Sequence, residues 1–111
     1  MTELAKKTCV ACEGGVPRLT RAEAEHFRKE TPEWTLSEDA ARLSRRFAFK
    51  DFAKALAFVN AVGKLAEEEW HHPDIAFGWG RVEITVATHA VRGLTENDFI
   101  LAAKIDLLPA A

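Results

Sequence analysis

From Asp51 to Glu69 apolar residues recur at spacings of three and four, while the segments on either side alternate with period two. This change of period constrains the fold more than any other feature, because a helical stripe and a pleated strand cannot share one pattern. Phe52, Leu56, Val59, Val62 and Ala66 form the expected buried stripe, which leaves Phe58 off it. Before the helix, Trp34-Thr35-Leu36 and Arg42 to Phe49 read as a hairpin joined through Ser37-Glu38-Asp39. Leu43, Phe47 and Phe49 share one parity, and Arg45 interrupts it. After the helix, Asp74 to Trp79 and Arg81 to Thr88 form a second hairpin that turns at Gly80. Val82, Ile84 and Val86 face one way; Glu83, Thr85 and Ala87 face the other.

Two further helices complete the order. Thr20 and Glu23 make a capping box for one that stops before Pro32. Thr95 and Asp98 make a variant of that box for one that runs to about Leu108 and stops at Pro109. The reading is an α+β domain of order αββαββα over residues 20–111, with a four-stranded antiparallel sheet and helices packed on one face. The open sheet edges and Phe58 point to self-association as a homodimer or homotetramer.

Residues 1–19 lack an apolar period and read as a flexible leader. Cys9 and Cys12 in it are spaced C-x-x-C, but Gly14, Gly15 and Pro17 follow where a redox motif would open a helix, and there is no second C-x-x-C. They read as two thiols in that leader rather than as a redox motif or half a zinc site. The formal charge of -2 offers no basic field for nucleic acid. The apolar runs are too short to span a membrane, and Met1 to Lys7 lacks a signal-peptide core, so the expected compartment is the cytoplasm.

Three of the four histidines fall between Trp70 and His89. Adjacent His71 and His72 cannot face one target from a regular helix or strand. Pro73 resolves this by forcing His72 toward an extended conformation. His71 then closes the helix and His72 opens the connection to the next strand. His89 has the outward parity of the last strand, and Asp98 lies in the first turn of the last helix, placed to orient a histidine. A metal site is disfavoured because no H-x-x-x-H spacing occurs and adjacent ligands in an H-H-P turn approach one ion poorly. His26 reads as a surface residue.

The run Glu67-Glu68-Glu69-Trp70-His71-His72-Pro73-Asp74-Ile75 resembles the pterin-4a-carbinolamine dehydratase family, as do Trp79, Val82, Ile84, Thr88-His89, Gly93-Leu94-Thr95 and Asp98-Phe99. The resemblance extends back through Trp34, Leu43, Phe47 and Phe49-Lys50-Asp51-Phe52. It implies the same αββαββα fold and a dehydratase that needs neither metal nor cofactor. The implied reaction converts a 4a-hydroxytetrahydropterin to quinonoid dihydropterin and water, in tetrahydrobiopterin recycling after an aromatic amino acid hydroxylase. The implied catalytic residues are His71, His72, His89 and Asp98. The implied pterin contacts are Trp70 to His72 and Ala87, Thr88, His89 and Ala90, partly through backbone. Trp70 stands where the family often has Gly or a polar residue, and Ala87 replaces a frequent Ser.

Imidazoles titrate near neutrality, which suits a reaction that protonates a departing hydroxyl and removes the N5 proton. The expected roles are His71 as acid, His89 as base, His72 in substrate binding and Asp98 as the group that orients His89. Two other readings use the same scaffold. One is a protein-binding module that stabilises transcription-factor dimers; the other is a pterin-binding assembly factor.

Overall fold

In the computed structural model, which describes residues 3–9 and 17–109, two β-hairpins merge into one antiparallel sheet. Helix α1 spans Arg21–Arg28, strands β1 and β2 Thr35–Leu36 and Leu43–Ala48, and helix α2 Phe52–Glu69. Strands β3 and β4 span Asp74–Gly78 and Arg81–Val86, and helix α3 Glu96–Asp106. The sheet order is β1-β2-β4-β3, so the longer strands of the two hairpins pair at its centre. Leu43 lies opposite Val86 and Phe47 opposite Val82. Ile75 lies opposite Ile84. These residues share the face covered by the helices, and Leu43, Val82, Ile84 and Val86 are fully buried there. No helix among the described residues is long and apolar enough to cross a membrane.

The sequence pattern anticipates this α+β architecture, but not which side of α2 is inside. Ala55, Phe58, Val62 and Ala66 are the buried residues, again at spacings of three and four. Phe58 is 3% exposed and its ring lies 4.7 Å from Phe47 and 5.1 Å from Phe49. Phe52 and Leu56, placed inside by the sequence reading, are 45% and 39% exposed. Both stripes satisfy the helical period. The two share Val62 and Ala66, and the sheet selects the one that turns Ala55 and Phe58 inward in place of Phe52 and Leu56.

Arg45 has the parity of the core face because it has partners there. Its guanidinium lies 4.3 Å from the Phe47 ring centroid, and its Nη1 meets Asp106 Oδ1 at 2.6 Å. The buried Trp34 indole donates to the same oxygen at 2.8 Å. One carboxylate thus ties the first hairpin to the end of α3.

Residues 3–9 depart from the expectation of a flexible leader. Leu4 is buried in the core, within a 3₁₀ turn over Leu4–Lys6 that packs on α3. The Cys9 N–H donates to Glu69 at 3.0 Å, and the Lys7 ammonium meets Glu96 at 2.5 Å. Burial, and then the Glu69 carboxylate, push the Cys9 thiol up to about 12, so it is neutral and unreactive at physiological pH. Cys12 lies outside the described residues.

Phe58→Ala should lower unfolding free energy by about 3–5 kcal/mol in equilibrium denaturation. Leu56→Ala should cost less than about half of that, because Leu56 is partly solvated. The stripe expected from sequence requires the reverse ranking.

Candidate active site

The site is built where α2 ends. Trp70 closes this helix in the left-handed conformation, φ 53 and ψ 44, and its N–H returns to the Ala66 carbonyl. The His71 N–H donates to the same carbonyl at 3.2 Å. His71 therefore already lies outside the helix, and the bend comes from Trp70 together with Pro73. The expectation that Pro73 alone divides the two histidines is corrected on this point. A bulky residue in this conformation costs about 1–2 kcal/mol relative to glycine. The strain is held at a residue that is 74% exposed and whose ring stands edge-on to His72 at 4.9 Å.

The bend sends the two imidazoles to different partners. His71 turns inward, and its Nε2 lies 2.6 Å from Asp98 Oδ1, with the side chains 11% and 0% exposed. His72 turns outward and meets Glu67 at 2.5 Å, both side chains in solvent. These contacts also account for two of the three acids at the negative end of the α2 dipole. Glu67 takes His72, and Glu69 takes Lys104 Nζ at 3.4 Å and the Cys9 N–H.

Asp98 is the centre of a buried polar network. Its Oδ2 accepts from the Thr88 hydroxyl at 2.7 Å and from the Thr95 N–H at 2.9 Å. The Thr88 and Thr95 hydroxyls are 2.9 Å apart. Both carboxylate oxygens are thus occupied within the protein, and the Nε2–H of His71 completes the set. That bond fixes the tautomer: with Nε2 committed to Asp98, Nδ1 is the nitrogen left to exchange a proton. The sequence reading paired Asp98 with His89. The structure pairs it with His71, because the first turn of α3 faces the α2 end and not the loop tip.

His89 lies beyond the end of β4, at the start of a 3₁₀ turn over His89–Val91 that Arg92 closes at φ 51. A Thr88–Gly93 bridge pins the base of this loop. His89 is exposed and borders an open cleft of about 390 Å³, together with Ala87, Thr88, Asp74 and Arg42. His71 and His72 do not border that cleft. Thr88 is the connection: it lines the cleft, and its hydroxyl holds the carboxylate that holds His71. The structure therefore joins His71, Asp98 and Thr88 in one network, sets His89 beside Thr88 on the cleft, and leaves His72 and Trp70 exposed to solvent. Ala90 is exposed on the His89 turn.

The side-chain role of Thr88 is the part that sequence reasoning missed. A signal for it exists. Thr88 continues the parity of Val82, Ile84 and Val86, so a polar residue occurs where the chain is still turned to the core. It is 3% exposed.

A sequence model of the pterin 4 alpha carbinolamine dehydratase family matches residues 17–108, which includes every residue of this assembly. The chain belongs to that family. A Rubrobacter xylanophilus protein, provisionally named a pterin-4-alpha-carbinolamine dehydratase, is 56% identical over 97% of this chain and 100% of its own length. A similarly named protein of Cupriavidus pinatubonensis is 53% identical over 97% of this chain and 93% of its own. Among solved structures, a transcriptional coactivator/pterin dehydratase from Brucella melitensis superposes with TM-score 0.75 at 34% identity, covering 80% of this chain and 95% of that one. A pterin dehydratase-like RuBisCO assembly factor of the alpha-carboxysome superposes with TM-score 0.58 at 33% identity, covering 67% and 86%.

Trp70→Gly should raise unfolding free energy by about 1 kcal/mol, because it relieves the left-handed strain. Thermal denaturation of the variant beside the native chain measures this. A fall in melting temperature would mean that the indole contributes more through contact than its backbone costs.

Proposed function

We propose that this protein is a 4a-hydroxytetrahydropterin dehydratase, in which the buried Asp98–His71 pair supplies the proton-transfer group. The observation that carries this reading is the full internal satisfaction of Asp98. The carboxylate caps α3 through the Thr95 N–H with one oxygen, and with the other it fixes the tautomer and direction of His71.

The reaction balances with these groups alone. The acid gives a proton to the departing 4a-hydroxyl, which leaves as water. The base takes the proton from N5, and the C4a–N5 double bond of the quinonoid dihydropterin forms. His71, protonated on both nitrogens, donates from Nδ1 as the acid and is left as the Nε2–H tautomer that Asp98 holds; His89 on the cleft is the base, and the substrate must reach past Thr88 from the cleft to His71. His72, exposed and paired with Glu67, binds substrate together with Trp70, whose indole offers a flat face for the ring system. Ala87, Thr88 and His89 border the cleft and, with Ala90 on the adjoining turn, supply the remaining pterin contacts, partly through backbone. The substrate is the product of an aromatic amino acid hydroxylase, and the protein works in the cytoplasm as a homodimer or homotetramer. For self-association the exposed Phe52 and Leu56 on α2 replace Phe58, which is buried.

The names of the two structural neighbours raise a second reading, a coactivator or assembly factor that keeps the pocket without the rate. The two readings separate at Asp98. A binding module needs Asp98 only as the cap of α3, and the direction it gives His71 matters only to turnover.

The decisive assay generates the carbinolamine with an aromatic amino acid hydroxylase and follows its decay by ultraviolet absorbance. The native protein should accelerate decay well above buffer. His71→Ala should lower kcat by about 10²–10⁴-fold without unfolding the chain. Asp98→Asn should lower kcat with little change in KM. Decay at the buffer rate with native protein would overturn the dehydratase reading and leave the binding module.

A further inference from the structure

The cleft that His89 borders is held together by a residue outside every motif discussed so far. Arg18 precedes α1, yet its guanidinium reaches two distant backbone carbonyls. Nη1 donates to Arg92 O at 3.1 Å, and Nη2 donates to Asp39 O at 2.9 Å. Arg92 closes the His89 turn, and Asp39 lies in the turn between β1 and β2. Both residues line the cleft. The fork therefore spans from one wall to the other.

Three further features belong to this arrangement. The Leu19 N–H donates to Leu94 O at 2.8 Å, which sets the strand of chain carrying Arg18 alongside the loop. A Cβ placed on Gly93 would fall 2.5 Å from Arg18 Cδ and Nε, so the arginine stem occupies the space that a side chain at Gly93 would need. The turn on the far wall is itself well fixed. The Ser37 hydroxyl and the Ala41 N–H bond the Asp39 carboxylate and hold it below the usual carboxylate range.

We infer that Arg18 is a positioning residue that sets the separation between the His89 turn and the β1–β2 turn, and with it the fit of a pterin in the cleft. This rests on the dehydratase reading for its substrate class. The clamp itself rests on the two carbonyls and on Gly93. A planar guanidinium can bridge two carbonyls at fixed spacing, whereas an ammonium is a point charge on a flexible stem. A clamp on an exposed surface contributes little to global stability, so its effect should fall on binding geometry.

The test uses dihydrobiopterin as the probe, a reduced pterin without the 4a-hydroxyl, with binding read from tryptophan fluorescence. Arg18→Ala should weaken binding on the order of tenfold, since small misplacements of a positioned group are costly. Its melting temperature should stay near the native value. Arg18→Lys should not restore affinity. Gly93→Ala should reproduce the loss by displacing the arginine stem, and should add nothing in the Arg18→Ala background. Amide hydrogen exchange at Val91 and Arg92 should quicken in Arg18→Ala while exchange in α2 stays unchanged. Native affinity with native exchange in Arg18→Ala would overturn the inference, as would full rescue by lysine. If the native protein fails to accelerate dehydration but the exchange and binding results hold, the dehydratase reading falls and the clamp stands.

Discussion

Everything at this site depends on one buried carboxylate. Asp98 is inaccessible to solvent, and burying such a group without partners is among the most costly acts in folding. Its cost is offset by bonds from three directions: the end of β4 through Thr88, the start of α3 through Thr95, and the end of α2 through His71. Those three elements must meet at one point for the fold to be stable. The same meeting point holds an imidazole in a single orientation. Stability and chemistry therefore draw on the same contacts, and removing one partner leaves the others buried and unpaired.

Much of the fold is legible in the sequence because periodicity reports local geometry directly. The two hairpins, the long helix and the capped last helix each carry a repeat that only one element type satisfies. The inner face of α2 is not legible in the same way. Two stripes fit the helical period, and the choice between Leu56 and Phe58 is made by Phe47 and Phe49 across the interface. A long-range packing partner has no signature within the helix. The docking of Leu4 escapes for a related reason, since one apolar residue in a short segment has no period at all.

The site shows the same division. His71, His72, His89 and Asp98 are visible as candidates because polar titratable residues cluster near a proline bend and a helix cap. Their pairing is not visible. Which histidine meets Asp98 depends on Trp70 adopting a conformation that its side chain disfavours, and nothing in a tryptophan announces this. Thr88 was within reach, since its parity places a hydroxyl on the core side. Arg18 was not, because its partners are backbone carbonyls distant in sequence, and any residue type supplies those.

Long-range proton–nitrogen NMR of ¹⁵N-histidine-labelled protein reads whether Asp98 fixes the tautomer of His71. Neutral His71 should carry its proton on Nε2, in a bond that disappears in Asp98→Ala, with Nδ1 as the nitrogen that exchanges. A neutral His71 protonated on Nδ1 in the native protein would contradict it.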